Sequence, residues 1–214
     1  MLTFDPIPHA YRWNGVIVPS VTQVLEDVGV IDYSYIPSGT REMALERGRM
    51  VHEAIHYDDE GDLDEPSTDE MLMAYVHAWR RWRTDSGFIP SLIEHRGYNE
   101  QCGFAGTLDR SGTMYIAGEI KVDVIVDAKT NDAPRWAELQ TAAYASFFDS
   151  PRRFLRVIVE LHKDGTYRTF TREGKDWQND FNRFMTCMSV YWMKREYNSA
   201  TYKQRMRQAK QESV

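Results

Sequence analysis

The sequence predicts a mixed α/β layer fold with one central sheet flanked by helices, and three observations carry that expectation. Apolar residues recur at helical spacing through about Asp85. Short apolar or alternating runs punctuated by glycine then fill the stretch from Ser91 to Val126. One helical segment separates those runs from two more strands and a closing helix.

Each element has a local reason. Residues 9–18 read as a hairpin, because Asn14-Gly15 is a type I′ turn signal between Tyr11-Arg12-Trp13 and Val16-Ile17-Val18. Pro19 ends it, and Ser20 is an N-cap for a short helix through Val28. A longer helix is expected over about 40–57, with Leu45, Gly48, His52 and Ile55 on one face, so His52 faces inward. An acidic loop over 58–66 follows, then a helix over about 68–85 that Gly87 stops. The glycine-punctuated strand runs are 91–97, 103–108, 114–116 and 122–126. Pro134 suits the first turn of a helix reaching about Phe148. Strands over 154–161 and 167–171 flank the hairpin signal Asp164-Gly165, and a last helix covers about 175–197.

At 214 residues, 42% of them hydrophobic, the chain can bury a core, and its length suits one domain over 1–214. Within it lie a motif-bearing core of about 40–171, the helix over 175–197 and a basic tail over 199–214. The acidic loop and the tail are the expected sites of disorder. Cys102 and Cys187 stand far apart and outside any C-x-x-C spacing, so no iron–sulfur cluster, cysteine zinc site or disulfide framework is expected. No stretch approaches the ~18 apolar residues of a membrane span, and the expectation is a cytoplasmic protein with no membrane partner.

A net charge of -6 argues at first against nucleic acid. Eight acids, however, lie between Asp58 and Glu70 without a basic residue among them, and setting them aside leaves the remainder at +2. Basic residues cluster in Arg80-Arg81-Trp82-Arg83, in Arg152-Arg153 with Arg156, and from Lys194 to Lys210. The charge pattern permits DNA binding.

The chemistry concentrates in Gly106-Thr107-Leu108-Asp109 and, after an apolar strand, Asp127-Ala128-Lys129. Strand alternation puts Asp127 and Lys129 on one face, and Asp109 comes from a neighbouring strand. Two carboxylates can then share a hard divalent cation, which lowers the pKa of a bound water and offsets charge growing on a phosphorane. An ammonium two residues from the ligand can orient or deprotonate that water.

Arg47-Gly48 with His52, Gly106-x-x-Asp109, Asp127-x-Lys129 and Gln140 with Tyr144 resemble, in order, the motif set of RecB-type nuclease domains of the PD-(D/E)xK superfamily. That group includes CRISPR-associated nucleases and the mitochondrial genome-maintenance exonuclease. The resemblance implies a restriction-endonuclease-like fold and a Mg2+- or Mn2+-dependent deoxyribonuclease. It also implies that His52, Asp109, Asp127 and the Ala128 carbonyl bind metal, that Lys129 acts on the water, and that Gln140 and Tyr144 line the site. Trp136, Gln140 and Tyr144 share a helix face by their own spacing. Arg47, Arg110, Trp136 and Tyr144 are candidate nucleic-acid contacts, and Glu94 is a candidate additional acid. The four cysteines of the iron–sulfur members and a nucleotide-binding G-x-x-x-x-G-K-[ST] are absent, so neither a cluster nor a helicase motor is expected in this sequence.

His52-Glu53-Ala54-Ile55-His56 also matches the H-E-x-x-H zinc-protease pattern, but that reading leaves Asp109, Asp127, Lys129, Gln140 and Tyr144 without a joint explanation. A third possibility is a non-cutting DNA-binding or scaffold module of the same fold. The expected activity is exonucleolytic, at single-stranded or resected DNA ends, in recombination, repair or phage DNA processing. A recombination or single-strand-binding protein is the expected protein partner.

Overall fold

Asn14 and Gly15 both adopt positive φ, 49° and 83°, as a two-residue type I′ turn requires. In the computed structural model, which describes residues 1–116, 118–130 and 132–199, that turn joins β2 (Ala10–Trp13) to β3 (Val16–Val18). A strand not foreseen from the sequence, β1 (Leu2–Asp5), pairs antiparallel with β2 to make a three-stranded sheet. Its four residues are too short a run to stand out. Ser20 caps α1 (Val21–Asp27) in a reciprocal box with Gln23, each side chain accepting from the other's backbone N–H.

α2 (Ser38–Glu60) starts earlier and runs further than the expected helix, closing at Gly61 with φ 79°. Asp58, Asp59 and Glu60 are therefore its last turn and not part of a disordered loop. α3 (Glu70–Ser86) begins after Asp69, whose carboxylate accepts the Met71 N–H, and ends at the left-handed Gly87. The two helices are tied by charge: Arg80 meets Asp58 at 2.6 Å and Arg83 meets Asp59 at 2.8 Å. The acidic run is therefore not a separate loop whose charge can be set aside, because its Asp58 and Asp59 neutralise Arg80 and Arg83 in place.

The main sheet has the order β4 (Ile89–Asn99), β5 (Phe104–Ile116), β6 (Ile120–Thr130), β7 (Leu155–Leu161), β8 (Tyr167–Arg172). Neighbours are antiparallel except β6 and β7, which are parallel and joined through α4 (Ala137–Ala145). The runs 103–108 and 114–116, expected as separate strands, belong to one strand that passes through Gly106 and Gly112. A Cβ at Gly106 would stand 2.8 Å from Cε1 of Tyr144, and one at Gly112 would meet the Ile89 carbonyl. These glycines admit neighbours and do not break the strand. α4 starts at Ala137, after a turn closed from the Ala137 N–H to the Pro134 carbonyl, and so is shorter than expected.

Alternation along β6 feeds two cores. Val124 and Val126 pack with Val51, Ile55 and Trp79 from α2 and α3. Ile125 faces the other way, toward Leu25 of α1, Ala142 of α4 and Phe184 of α5 (Trp177–Asn198). The result is the expected mixed α/β fold, a mixed five-stranded sheet with helices on both faces, consistent with a restriction-endonuclease-like arrangement. A bridge between Ser20 and Ala105, with the Tyr11 hydroxyl 2.7 Å from Thr107 Oγ1, fastens the N-terminal sheet to β5. Arg156, counted among the basic clusters, is fully buried against Asp180 at 2.6 Å. Lys194 and Arg195 both pair with Asp27 at 3.2 Å. Most of the expected basic tail, 200–214, lies outside the described residues. No described helix is long and apolar enough to cross a membrane.

Candidate metal centre

Sheet register assembles the site. The ladder between β5 and β6 reaches Arg110 opposite Val126, so Asp109 stands next, across from Asp127. On the other side Ile93 pairs with Arg110 and His95 with Leu108, which sets Glu94 across from Asp109. One carboxylate from each of three adjacent strands thus forms a row across the sheet. The Ala128 N–H donates to Asp109 Oδ2 at 2.9 Å and fixes that carboxylate.

α2 adds the histidine. His52 Nε2 lies 3.0 Å from the Ala128 carbonyl, which can only accept, so Nε2 carries the hydrogen. In the neutral ring the Nδ1 lone pair then faces Asp109 Oδ2 at 3.6 Å and Glu94 Oε1 at 4.0 Å. Among the described residues, His52, Glu94 and Asp109 form a group whose ligand atoms all lie within 4.8 Å of one another. Glu94 has φ 47°, a left-handed conformation that non-glycine residues seldom take in a strand.

Asp127 stands beside this group, turned toward Lys129, whose ammonium donates to Oδ1 at 2.9 Å and lies 2.8 Å from Oδ2. No hydrogen-bond geometry is satisfied at that buried Oδ2. Burial pushes the Asp127 carboxyl up to about 6, with Lys129 opposing and Asp109 reinforcing the rise. For Lys129, burial favours the neutral amine, but Asp127 and Asp109 outweigh it and the ammonium persists. The same contest at His52 ends above the ordinary histidine value, because Asp109 and Glu94 overcome burial.

α4 completes the arrangement. Lys129 donates to Gln140 Oε1 at 3.1 Å, and Gln140 Nε2 donates to the Tyr144 hydroxyl at 2.9 Å. Burial, then the Asp127 and Asp109 charges, raise the Tyr144 phenol well above its usual range, keeping it protonated. The Lys129 ammonium also sits 5.2 Å from the Trp136 ring centroid. A cleft of about 700 Å³ opens beside these groups, lined among others by Tyr33, Arg41, Arg47, His52, Lys129 and Trp136.

The structure therefore brings His52, Glu94, Asp109, Asp127, Ala128, Lys129, Gln140 and Tyr144 together, with Trp136 and Arg47 on the cleft. Two details differ from expectation. Glu94, and not Asp127, shares the tightest ligand group with His52 and Asp109. Arg110, expected to face nucleic acid, is fully buried and paired with Asp59 at 2.8 Å and Glu94 at 3.4 Å. Sequence reasoning missed Asp59 and Tyr33 altogether; one was hidden in an acidic run, and the other lies outside every motif.

The donor set suits a divalent cation. Two carboxylates and one imidazole nitrogen from three different elements can together ligate such an ion. His56, the second histidine of the zinc-protease pattern, points elsewhere, with Nε2 3.4 Å from Glu60.

No protein-family model matches the chain, and no curated protein does. Solved structures give a shallow likeness. An alkaline exonuclease from Laribacter hongkongensis is 12% identical, with 83% of this chain and 91% of that chain covered and a TM-score of 0.31. The structure of that exonuclease in complex with dAMP gives 14% identity, 84% and 92% coverage and a TM-score of 0.30.

Proposed function

We propose that the protein is a RecB-type, Mg2+- or Mn2+-dependent DNA nuclease that shortens DNA from free ends. The observation that carries this reading is the convergence of His52 Nδ1, Glu94 and Asp109 beside the buried Asp127–Lys129 pair. His52, Glu94 and Asp109 would hold the cation, with the Asp127–Lys129 pair beside them. A bound divalent cation supplies an acidified water and polarises the phosphate.

The chain's own groups do the rest. Lys129 orients the attacking water by hydrogen bonding and offsets the negative charge that builds on the phosphoryl oxygens. Gln140 aims Lys129, and the protonated Tyr144 hydroxyl anchors Gln140. Arg47 and Trp136 flank the strand in the cleft, the arginine meeting phosphate and the indole a base. The cleft of about 700 Å³ beside the site can take a strand segment, which fits a preference for single-stranded or resected ends.

The test uses end-labelled linear and closed circular DNA, single- and double-stranded, with Mn2+ or with EDTA. Linear single strands should shorten with Mn2+ and remain intact in EDTA, and Asp109→Ala and Lys129→Ala should each remove most activity from a folded protein. Cleavage in EDTA would sink the metal site; efficient cutting of circles would sink end-dependence alone. DNA retarded on a gel but never shortened would identify a binding module.

A further inference from the structure

Arg110 and Asp59 form an ion pair with both side chains at 0% exposure, Nε to Oδ2 at 2.8 Å. Asp59 is itself saturated, its Oδ1 accepting from Trp79 Nε1 and from Arg83, each at 2.8 Å. The guanidinium carbon lies 5.3 Å from the centroid of the Trp79 ring. Nη1 then reaches Glu94 Oε1 at 3.4 Å, while Nη2 has no partner among the described residues. Apart from Glu94, the guanidinium's partners are Asp59 at the end of α2 and the Trp79 ring of α3, and each removes freedom from it.

Glu94 needs such a restraint. Its φ of 47° is a left-handed backbone conformation that persists only where surroundings over-determine it. Its carboxylate is also the most exposed of the three, at 36% against 13% for Asp109 and 1% for Asp127. Among the described residues, no backbone N–H donates to it as the Ala128 N–H does to Asp109, and the Arg110 side chain is what reaches it from β5. A buried arginine–carboxylate pair seldom stabilises a fold more than apolar packing does, so its burial next to a cation site points to aiming.

We propose that Arg110, clamped by Asp59, is a positioning residue that holds the Glu94 carboxylate, through Oε1, at the cation site beside His52 and Asp109, and so sets the metal affinity of the site. The proposal rests on the metal reading given above. Groups that orient ligands in this way are worth roughly ten- to a hundredfold in metal affinity.

The experiment measures Mn2+ binding by electron paramagnetic resonance, and melting in EDTA, for the full chain and for Arg110→Lys, Asp59→Asn and Glu94→Gln singly and in pairs. Arg110→Lys keeps the charge and loses the fork. The Mn2+ Kd should rise roughly ten- to a hundredfold in Arg110→Lys and in Asp59→Asn, kcat at saturating Mn2+ should change little, and neither substitution should weaken binding further once Glu94→Gln is present. An unchanged Kd overturns the proposal, as does an equal loss in the Glu94→Gln background. If Asp59→Asn fails to fold, Arg110→Lys and its pair with Glu94→Gln decide alone. Failure of the unaltered protein to bind Mn2+ overturns the metal site itself, and the positioning role with it; loss confined to the variants leaves the metal site standing.

Discussion

Asp127→Asn should make the protein more stable without metal while removing its activity. The structure supplies the magnitude. The Asp127 carboxyl is 1% exposed and is pushed from 3.8 up to about 6, chiefly by burial. That difference corresponds to about 3 kcal/mol by which the ionised carboxylate opposes folding at neutral pH. The amide also leaves Lys129 with one counter-charge fewer, so the expected gain is smaller, ~1–2 kcal/mol, or a Tm higher by a few degrees. The sign follows from the direction of the shift. A carboxyl raised in the native state binds its proton more tightly there, so its contribution is present below 3.8 and is lost as pH rises through about 6. Thermal melting in EDTA from pH 4 to 8 should therefore show the two proteins close together near pH 4, separating as the pH rises to about 6 and staying apart by a constant margin above it. Excess Mn2+ should stabilise the unaltered protein much more than the variant. A variant less stable than the parent at pH 7 in EDTA, or an advantage that persists unchanged at pH 4, would refute the reasoning.

Three further outcomes are expected. His52→Ala should abolish Mn2+ binding and cleavage, whereas His56→Ala should retain both, since only His52 joins the ligand group; equal loss in the two would revive a zinc site. Apparent Mn2+ affinity should rise as pH climbs through about 6 and above the ordinary histidine range, because Asp127 and His52 must both shed protons to ligate, and a flat profile from pH 5 to 8 would exclude their participation. Gly106→Ala should lower stability by ~1–3 kcal/mol, because its Cβ would stand 2.8 Å from the Tyr144 ring, and should lower kcat further by shifting Gln140; wild-type melting and activity would show that the ring moves freely.

The parts of the site that could be read from the sequence are those that chemistry fixes locally. Asp127 and Lys129 share a face because strand periodicity admits nothing else, and Gln140 and Tyr144 share one because helix periodicity does. Gly106 was noted as a motif residue, yet its reason, the approach of the Tyr144 ring, belongs to tertiary packing. Glu94 could be placed on a strand, but neither its positive φ nor its place opposite Asp109 can be seen before the register of β4 against β5 is known. Arg110 looked like a surface cation because its partner Asp59 lies far away in sequence, in an acidic run that composition alone marks as solvated. The length of α2 went wrong for the same reason: its final acidic turn is held by arginines of α3, and local propensity carries no trace of them.

The row of carboxylates runs at right angles to the chain, and this frees the site from any fixed sequence spacing. The intervals separating Glu94, Asp109 and Asp127 record only how long two hairpins happen to be. Lengthening either hairpin by whole paired steps at its tip would change the interval and leave the acids facing one another, whereas adding one residue inside β5 would swing Asp109 to the opposite face. Kinship among proteins built this way would therefore fade from linear comparison while the chemistry survived, with insertions collecting at the hairpin ends and almost none within the strands.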